Sequence, residues 1–369
     1  PVYQADVPNA FCRSKIDALI NITLPHGISF KDDNVDTDGG WVIRLLRSLY
    51  GLKQSPLLWN MHLSDLLCKK FGMTRLHGDT SLFARRWDDD GSWIVLGTEV
   101  DDLAILCSNE KRREELRVFL KENLDVTEFS PIRSYFGIRF IQDLLEGTCT
   151  MDVEKQINDL FKRHPIFKNL IPADAPSPPA DFKVDESTPI SPLESYTIQH
   201  YRSLVGGLIF PASTCRPDIA YETSRAARTM SKPTRTCAAR LIHLLRYLFH
   251  HRTSKLCYSQ NGGVPKAYLD HLPSFVTVVG KSVEPSSVVE DRTVGLVDSN
   301  FAPKDESSRK STSGFCFFYC CCLICWKSKL QPITAGSSHD AELIAACLAA
   351  DEAAWLHKLT HEINQYVYG

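Results

Sequence analysis

The chain of 369 residues lacks long apolar runs, a surplus of positive charge and internal repeats. Its longest apolar runs are too short to cross a membrane, and none has the flanks of a signal peptide. The formal net charge is −2, so overall charge does not indicate a nucleic-acid-binding protein. These absences exclude a membrane-spanning chain and leave a globular one.

Cysteine is plentiful, but it lacks the arrangement of a secreted disulfide scaffold. The 13 cysteines are odd in number and irregularly spaced, which favours an intracellular chain with reduced thiols. Five of them crowd into one apolar stretch without paired C-x-x-C spacing, at Cys316, Cys320, Cys321, Cys322 and Cys325. We interpret them as small apolar residues of a buried strand pair, with a metal site as the alternative.

Strand and helix patterns alternate along the chain, which predicts an α+β fold in two or three domains. Apolar spacing predicts helices at 55–70, 110–123, 151–164, 219–230, 238–249 and 339–363. Short β-rich runs predict strands at 81–84, 93–96, 135–140 and 294–297, and a hairpin turning at 320–322. A Pro-rich stretch at 171–196 indicates a linker, and the segment 262–290 a loop-rich insertion.

Basic residues concentrate in one part of the chain. Between Tyr201 and Lys255 there are ten basic and two acidic residues, a local charge of +8. Such a block suits contacts with phosphates. The alternative is a set of helices with solvated basic faces.

Two adjacent carboxylates, Asp101 and Asp102, stand between short apolar runs that read as two strands joined by a tight turn. A third carboxylate, Asp6, follows another short apolar stretch. Three converging carboxylates can hold two divalent metal ions about 4 Å apart and clamp both oxygens of an in-line phosphoryl displacement. Taken alone, an Asp-Asp pair is more often a solvated turn.

Several motifs occur in the order typical of one family. The segments Asp6–Phe11, Leu49–Pro56 with Trp59, and Val100–Asp102 together resemble the reverse transcriptase of copia-type LTR retrotransposons. The run Leu-Tyr-Gly-Leu-Lys-Gln-Ser-Pro at 49–56 is the most specific of these. Further matches lie at 201–206 and 216–221, which resemble the segment after the polymerase, and at 309–315, 326–331 and 355–356, which resemble its RNase H region. The resemblance covers nearly the whole chain.

The resemblance implies a three-part architecture. It predicts a reverse-transcriptase palm at 1–145, an antiparallel sheet with helices whose fingers region is missing. A helical thumb or connection segment follows at 146–290 and includes the Pro-rich linker, and a truncated RNase H-like α/β unit occupies 291–369. The implied location is intracellular, in a cytoplasmic particle or the nucleus. No oligomeric state is implied.

The implied activity is RNA-directed DNA polymerisation on an RNA/DNA primer-template with dNTPs, using Mg²⁺ or Mn²⁺. The first alternative is a catalytically inactive retrotransposon remnant with residual nucleic-acid binding. The second is a nuclease that works from Asp298 and Glu342.

By resemblance, Asp6, Asp101 and Asp102 are the catalytic, metal-binding residues of the polymerase. Phe11 is the aromatic steric gate against a ribose 2′-hydroxyl, or else a core phenylalanine. The nucleotide and template pocket is shaped by Gly51, Lys53, Gln54, Ser55 and Pro56, with Gly51 permitting close backbone approach. The hairpin that grips the primer end is formed by Phe136, Gly137 and Ile138.

In the RNase H-like region, Asp298 and Glu342 are the implied metal carboxylates. The family carries further acids downstream, beyond Gly369, so we expect ribonuclease activity to be incomplete. Two departures from the family pattern matter. Glu99 stands where tyrosine usually precedes Val-Asp-Asp, which adds negative charge and can raise neighbouring pKa values. Thiols replace glycines at 320–322, which we expect to weaken that hairpin.

Overall fold

The computed structural model describes residues 1–23, 42–165, 171–179, 182, 198–259, 277–278, 281–282, 293–302, 309–320 and 322–369. These residues form two compact units. The first unit comprises residues 1–136 and 358–369, and the second comprises residues 137–357. This division groups residues differently from the three predicted domains, which remain a prediction.

The helices are α1 (Ala10–Arg13), α2 (Ser55–Asp65), α3 (Glu110–Leu124), α4 (Glu154–Arg163), α5 (Ile198–Thr214), α6 (Ala220–Arg228), α7 (Arg235–His250) and α8 (Ser338–Val367). A π-helical turn, Leu66–Lys70, continues α2, and a 3₁₀ turn, Pro217–Ile219, precedes α6. No helix among the described residues is both long and apolar enough to span a bilayer.

The strands are β1 (Val2–Asp6), β2 (Asn21–Thr23), β3 (Val42–Arg44), β4 (Thr74–Arg75), β5 (Leu82–Arg86), β6 (Trp93–Glu99), β7 (Asp102–Cys107), β8 (Ser130–Pro131), β9 (Ser134–Tyr135), β10 (Ile138–Asp143), β11 (Thr148–Asp152), β12 (Leu256–Ser259), β13 (Thr277–Val278), β14 (Lys281–Ser282), β15 (Thr293–Asn300), β16 (Thr312–Tyr319) and β17 (Cys322–Leu330). Strands and helices in separate segments give an α+β fold, which confirms the predicted class.

The first unit is built on a six-stranded antiparallel sheet in the order β4-β5-β6-β7-β1-β8. Alternate residues of β7, Leu103 and Ile105, are fully buried on one face of this sheet. They share a core with Leu116, Leu120 and Leu124, whose spacing of four places them on one face of α3. In a second apolar cluster of this unit, the last turns of α8 pack against β5, β6 and Leu76, the residue that follows β4.

Among its described residues, the second unit contains the helices α4 to α7, the part of α8 up to residue 357, and three groups of paired strands, of which β13–β14 is a short isolated pair. Strands β10, β11 and β12 pair antiparallel, and the helices enclose a core that includes Leu160, Leu208 and Leu244. Strands β15, β16 and β17 form a separate antiparallel sheet. Phe315 and Phe317, on one face of that sheet, pack against the part of α8 that ends at residue 357.

Most predicted elements are present, and three differ from the prediction. Met151 and Asp152 belong to strand β11, so the predicted helix at 151–164 begins only at Glu154. Helix α5 was not predicted. The predicted strand at 135–140 is interrupted at Phe136 and Gly137, which have φ of 51° and 75° and form a turn between β9 and β10.

Two predicted segments fall largely outside the described residues. The Pro-rich linker at 171–196 is described only at 171–179 and 182, and the insertion at 262–290 only at 277–278 and 281–282. The cysteine-rich segment forms the predicted strand pair β16–β17, but its described cysteines, Cys316, Cys320, Cys322 and Cys325, are only partly buried. Cys321 lies outside the described residues.

Candidate active site

Two of the predicted carboxylates lie side by side at the edge where β1 ends and β7 begins. Asp6 and Asp102 are direct partners in the antiparallel pairing of these strands. The N–H of Val7 donates to the carbonyl oxygen of Asp101 at 2.8 Å, which extends the pairing by one residue. Side chains of directly opposed residues share one face of a sheet, about 4.5–5.5 Å apart at Cβ. Asp6 and Asp102 are therefore close neighbours.

A two-residue turn, Val100 and Asp101, joins β6 to β7 and places Asp101 beside this pair. Val100 has φ of 53°, a left-handed conformation that is costly for a β-branched residue. The indole Nε1–H of Trp59 donates to the carbonyl oxygen of Val100 at 2.6 Å. Because Trp59 is 3% exposed, this hydrogen bond fixes the turn to the core of the first unit.

Burial and neighbouring charge disfavour the ionisation of Asp6 and Asp102. Burial raises the pKa of Asp6, and the charge of Asp101 raises it further. Burial likewise raises the pKa of Asp102, with additional contributions from Asp101 and Asp6, while a hydrogen bond from the backbone of Phe136 acts in the opposite direction. Three acids in one place therefore form a site that a cation would stabilise.

The donor set suits a hard cation, but it does not form a complete cage. Among the described residues, no group of three or more His, Cys, Asp or Glu side chains is arranged to hold a metal ion. Asp6 and Asp102 face each other, and Asp101 is close enough to shift both pKa values. Mg²⁺ is commonly held by one or two carboxylates together with water and substrate phosphates. The residues present fit that mode of binding.

Glu99, predicted to disturb the carboxylates, lies directly opposite Asp102 and is also near Tyr135. It is the strand partner of Asp102, but the charges that raise the pKa of Asp102 are those of Asp101 and Asp6. Burial raises the pKa of Tyr135 to about 12, and Glu99 and Asp102 contribute to that shift. Tyr135 is therefore a neighbour of Glu99 and Asp102 that the sequence did not single out.

Tyr50 is a second neighbour of the carboxylates that the sequence did not single out. Burial raises the pKa of Tyr50, and the next contribution is the charge of Asp101. Its ring lies 4.8 Å, centroid to centroid, from that of Phe11. Phe11 is half-buried and packs partly on the core, so its position accommodates both of its predicted roles. Its steric role remains a prediction.

The predicted pocket residues at 51–56 have mixed environments. Gly51 has φ of 96°, and no atom of the described residues lies within 4 Å of where a Cβ would stand. Its backbone conformation, and not close packing, is what requires glycine. Ser55 is buried, and its hydroxyl donates to the carbonyl oxygen of Leu49 at 2.7 Å, which indicates a structural role. Lys53 and Pro56 are exposed, and Gln54 immediately precedes α2.

The three predicted primer-grip residues lie at a turn. Phe136 is half-exposed and belongs to the first unit, whereas Gly137 and Ile138 belong to the second. The amide of Gln156 donates to the carbonyl oxygen of Gly137, which fixes the turn to α4. Contact with a primer remains a prediction.

The two predicted RNase H-like acids are not joined by the described contacts. Asp298 lies within β15, and Glu342 lies in the first turns of α8. The hydroxyl of Ser299 donates to Glu342 Oε1 at 2.8 Å. Neighbouring strand residues point to opposite faces of a sheet, so Asp298 points away from the face that Ser299 shares with Glu342. Their role in ribonuclease chemistry remains a prediction.

Part of the basic charge at 201–255 is used inside the second unit. Arg216 is 1% exposed and forms an ion pair with Asp218 at 2.6 Å. Arg240 forms an ion pair with the buried Glu222 at 2.5 Å. Lys232 is exposed. The local charge of +8 therefore overstates what a phosphate backbone could contact.

Comparisons with known proteins agree with these motifs. Residues 1–170 match the family model described as reverse transcriptase (RNA-dependent DNA polymerase). The chain is 25% identical over 366 residues to the retrovirus-related Pol polyprotein from transposon TNT 1-94 of Nicotiana tabacum, and the match covers 98% of this chain but 25% of that polyprotein. A solved structure of the foamy viral protease-reverse transcriptase in complex with RNA/DNA hybrid is 14% identical, with a TM-score of 0.45, and the match covers 96% of this chain and 37% of that one.

A second curated relative is matched over most of its own length. The putative transposon Ty5-1 protein of Saccharomyces cerevisiae is 30% identical over 262 residues, which are 69% of this chain and 78% of the relative. The chain belongs to the reverse transcriptase family of copia-type retrotransposon Pol polyproteins.

Proposed function

We propose that this chain carries a metal-dependent RNA-directed DNA polymerase site formed by Asp6, Asp101 and Asp102. The observation that supports this most is the direct strand pairing of Asp6 with Asp102, with Asp101 at the adjoining turn. The sequence motifs predicted that these three acids converge. A two-metal reaction requires carboxylates that converge on one place.

In this proposal the three acids bind Mg²⁺ or Mn²⁺ in their ionised form. The bound cations supply activation of the primer 3′-hydroxyl and neutralisation of charge on the leaving pyrophosphate. Asp6 and Asp102 hold their positions through the sheet, and Asp101 through the turn that Trp59 anchors. Because burial and the charge of Asp101 raise the pKa of both Asp6 and Asp102, cation binding competes with protonation of these two acids and weakens as pH falls.

The aromatic residues beside the acids have a positioning role in this proposal. Phe11 and Tyr50 form a tilted aromatic pair, with an interplanar angle of 55°, next to the carboxylates. A deoxyribose bound over Phe11 would leave little room for a 2′-hydroxyl, which would favour dNTPs over ribonucleotides. The exposed Lys53 would contribute charge for a phosphate or for the template backbone.

Primer extension on a poly-A template with an oligo-dT primer tests the proposal. We expect incorporation in Mg²⁺ or Mn²⁺, and loss of at least 100-fold in the Asp101→Asn/Asp102→Asn double variant, on the order expected when carboxylates that bind catalytic metal are lost. The matched control is Asp17→Asn, a change at an exposed aspartate. Circular dichroism establishes that each variant is folded. A folded wild-type chain that incorporates nothing, or a double variant that incorporates normally, would refute the assignment.

A further inference from the structure

The backbone of Asp6 is held from both sides of strand β1. On one side, Asp6 lies opposite Asp102 of β7. The next pair along these strands is hydrogen-bonded, since the N–H of Val7 donates to the carbonyl oxygen of Asp101. Hydrogen-bonded and non-hydrogen-bonded pairs alternate in antiparallel pairing, so Asp6 and Asp102 form a non-hydrogen-bonded pair. The N–H and the carbonyl oxygen of Asp6 therefore point away from β7, to the other edge of β1.

Thr127 binds both of these backbone groups. Its hydroxyl oxygen accepts from the N–H of Asp6 at 2.8 Å, and its own N–H donates to the carbonyl oxygen of Asp6 at 2.9 Å. The side chain thus supplies an acceptor that a strand backbone would otherwise supply. Because Asp6 is held at both edges of β1, the direction of its carboxylate is fixed.

The segment Thr127–Phe136, which we call the strap, continues beside β1. Strand β8 lies within it and pairs with β1. Beyond β8, the side-chain amide oxygen of Gln4 accepts from the N–H groups of Arg133 and Ser134, at 2.7 and 3.1 Å. One side chain of β1 therefore holds the strap where regular pairing has ended.

The strap ends at the second carboxylate. The backbone N–H of Phe136 donates to the carboxylate of Asp102. Phe136 has φ of 51°, a left-handed conformation that is uncommon outside glycine. Such a conformation persists only where surrounding contacts hold it. The strap therefore contacts Asp6 at its first residue and Asp102 at its last.

We propose that the strap positions the carboxylates of Asp6 and Asp102 together for cation binding. The inference rests on the proposed polymerase function, because that function assigns the two acids to a divalent metal site. Thr127 and Gln4 are positioning residues in this proposal and do not touch the cation. Thr127 acts through the backbone of Asp6, and Gln4 acts through the strap on Asp102. Groups that orient metal-binding side chains typically contribute about ten- to a hundredfold to metal affinity.

Binding of Mn²⁺ alone, measured as loss of the free-ion electron paramagnetic resonance signal, tests the proposal without catalysis. Thr127→Val removes the hydroxyl acceptor, and we expect it to weaken Mn²⁺ binding on the order of tenfold. Thr127→Ser keeps a hydroxyl and should bind Mn²⁺ as the unaltered chain does. The matched control is Thr74→Val, the same change at an exposed threonine of β4, at the opposite edge of the sheet. Thermal unfolding in EDTA establishes that each variant is folded.

A double variant tests whether the strap acts as one unit. Gln4→Met removes the second side-chain acceptor at a similar side-chain length. We expect Gln4→Met/Thr127→Val to weaken Mn²⁺ binding by less than the product of the two single effects, because either change loosens the same segment. Effects that multiply would mean two separate contacts and would overturn the proposal.

The Asp101→Asn/Asp102→Asn variant separates this proposal from the polymerase assignment. If that variant loses Mn²⁺ binding and Thr127→Val retains it, the strap has no positioning role and the metal site stands. If the unaltered chain binds no Mn²⁺, or the Asp101→Asn/Asp102→Asn variant binds it normally, both the metal site and the role of the strap are refuted. Weaker binding in Thr127→Val that Thr127→Ser does not restore would also overturn the proposal, since the hydroxyl would not be its cause.

Discussion

At the scale of single residues, the ionised carboxylates of the candidate active site lower the stability of the folded chain. Asp6 and Asp102 both have raised pKa values in the folded chain. An acid whose pKa is raised by folding contributes stability below its ordinary pKa, and that contribution is lost as pH rises through the raised value. Near neutral pH, and without a cation, these acids therefore destabilise the fold.

The first prediction follows from this loss of stability as the acids ionise. Asp102→Asn removes one charge from the cluster, so it should raise the thermal unfolding midpoint in EDTA at about pH 7, while abolishing incorporation. The gain should shrink towards about pH 4, where the wild-type carboxylates take up protons. Scanning calorimetry at both pH values measures this, with Asp17→Asn as the control. A lower midpoint in EDTA at neutral pH would contradict the electrostatic account.

A second prediction concerns the turn of the cysteine-rich hairpin. Cys320 has φ of 47°, a left-handed conformation that favours glycine. Cys320→Gly removes that strain but increases the conformational entropy of the unfolded chain, and the two effects oppose each other. We expect a net gain of about 0.5–1 kcal/mol in the free energy of unfolding. Cys322→Gly, within strand β17, is the control and should lose about as much. Urea denaturation measures both, and equal effects of the two changes would show that strain at Cys320 is not the cause.

At the scale of elements, one hydrogen bond links α2 to the turn that carries Asp101. It is the bond from Trp59 Nε1 to the carbonyl oxygen of Val100. Trp59→Phe keeps most of the buried volume and removes the donor. We predict a loss of about 1 kcal/mol in stability, and a higher metal concentration for half-maximal incorporation, because Asp101 is then less well positioned. Primer extension at a series of Mg²⁺ concentrations measures this. An unchanged metal dependence would mean that the sheet alone holds the turn.

Within the helical part of the second unit, substitutions of buried and of exposed basic side chains should have different effects on stability and on nucleic-acid binding. Lys232→Gln should leave the thermal midpoint unchanged and reduce the salt dependence of RNA/DNA binding by about one unit of slope. Arg216→Gln should lower stability by about 3 kcal/mol or more, since it leaves Asp218 without its buried partner. Fluorescence anisotropy over a salt series and thermal unfolding distinguish the two. An unaltered slope in Lys232→Gln would place the nucleic acid elsewhere.

Local patterns predicted elements well where neighbouring residues decide the structure. Apolar spacing was sufficient for α3, whose buried leucines recur every four residues. It failed for α5, which contains Pro211 and two adjacent glycines that lower helix propensity. Packing explains one of these glycines, because a Cβ at Gly207 would stand 2.6 Å from Cδ1 of Leu160. A requirement set by a neighbouring helix is not visible in local sequence.

The candidate active site shows the same limit. The pairing of Asp6 with Asp102 agrees with the sequence motifs, since both acids border apolar runs that form strands. The positions of Tyr50 and Tyr135 beside those acids depend on how distant segments pack, and spacing along the chain does not encode that. The face of β15 to which Asp298 points depends on strand register, which a motif does not fix.

At the scale of the whole molecule, the two units differ in whether they are continuous along the chain. The second is one continuous stretch, 137–357, whereas the first is completed by residues 358–369. In the first unit, Leu359 and Ile363 cover an apolar cluster formed by Leu76, Ala84 and Val95. The first unit is therefore defined by contacts of very long sequence separation, which slow folding.

That arrangement has a consequence for the newly made chain on the ribosome. Some 260 residues must be translated between Val95 and Leu359, which takes on the order of 10 to 50 seconds at ordinary elongation rates. Throughout that interval the apolar cluster on the sheet has no cover from α8. Nascent chains that stall or are cleaved during this interval expose the apolar face of the sheet to chaperones and to one another. We therefore expect chains that are released before α8 is made to be prone to aggregation.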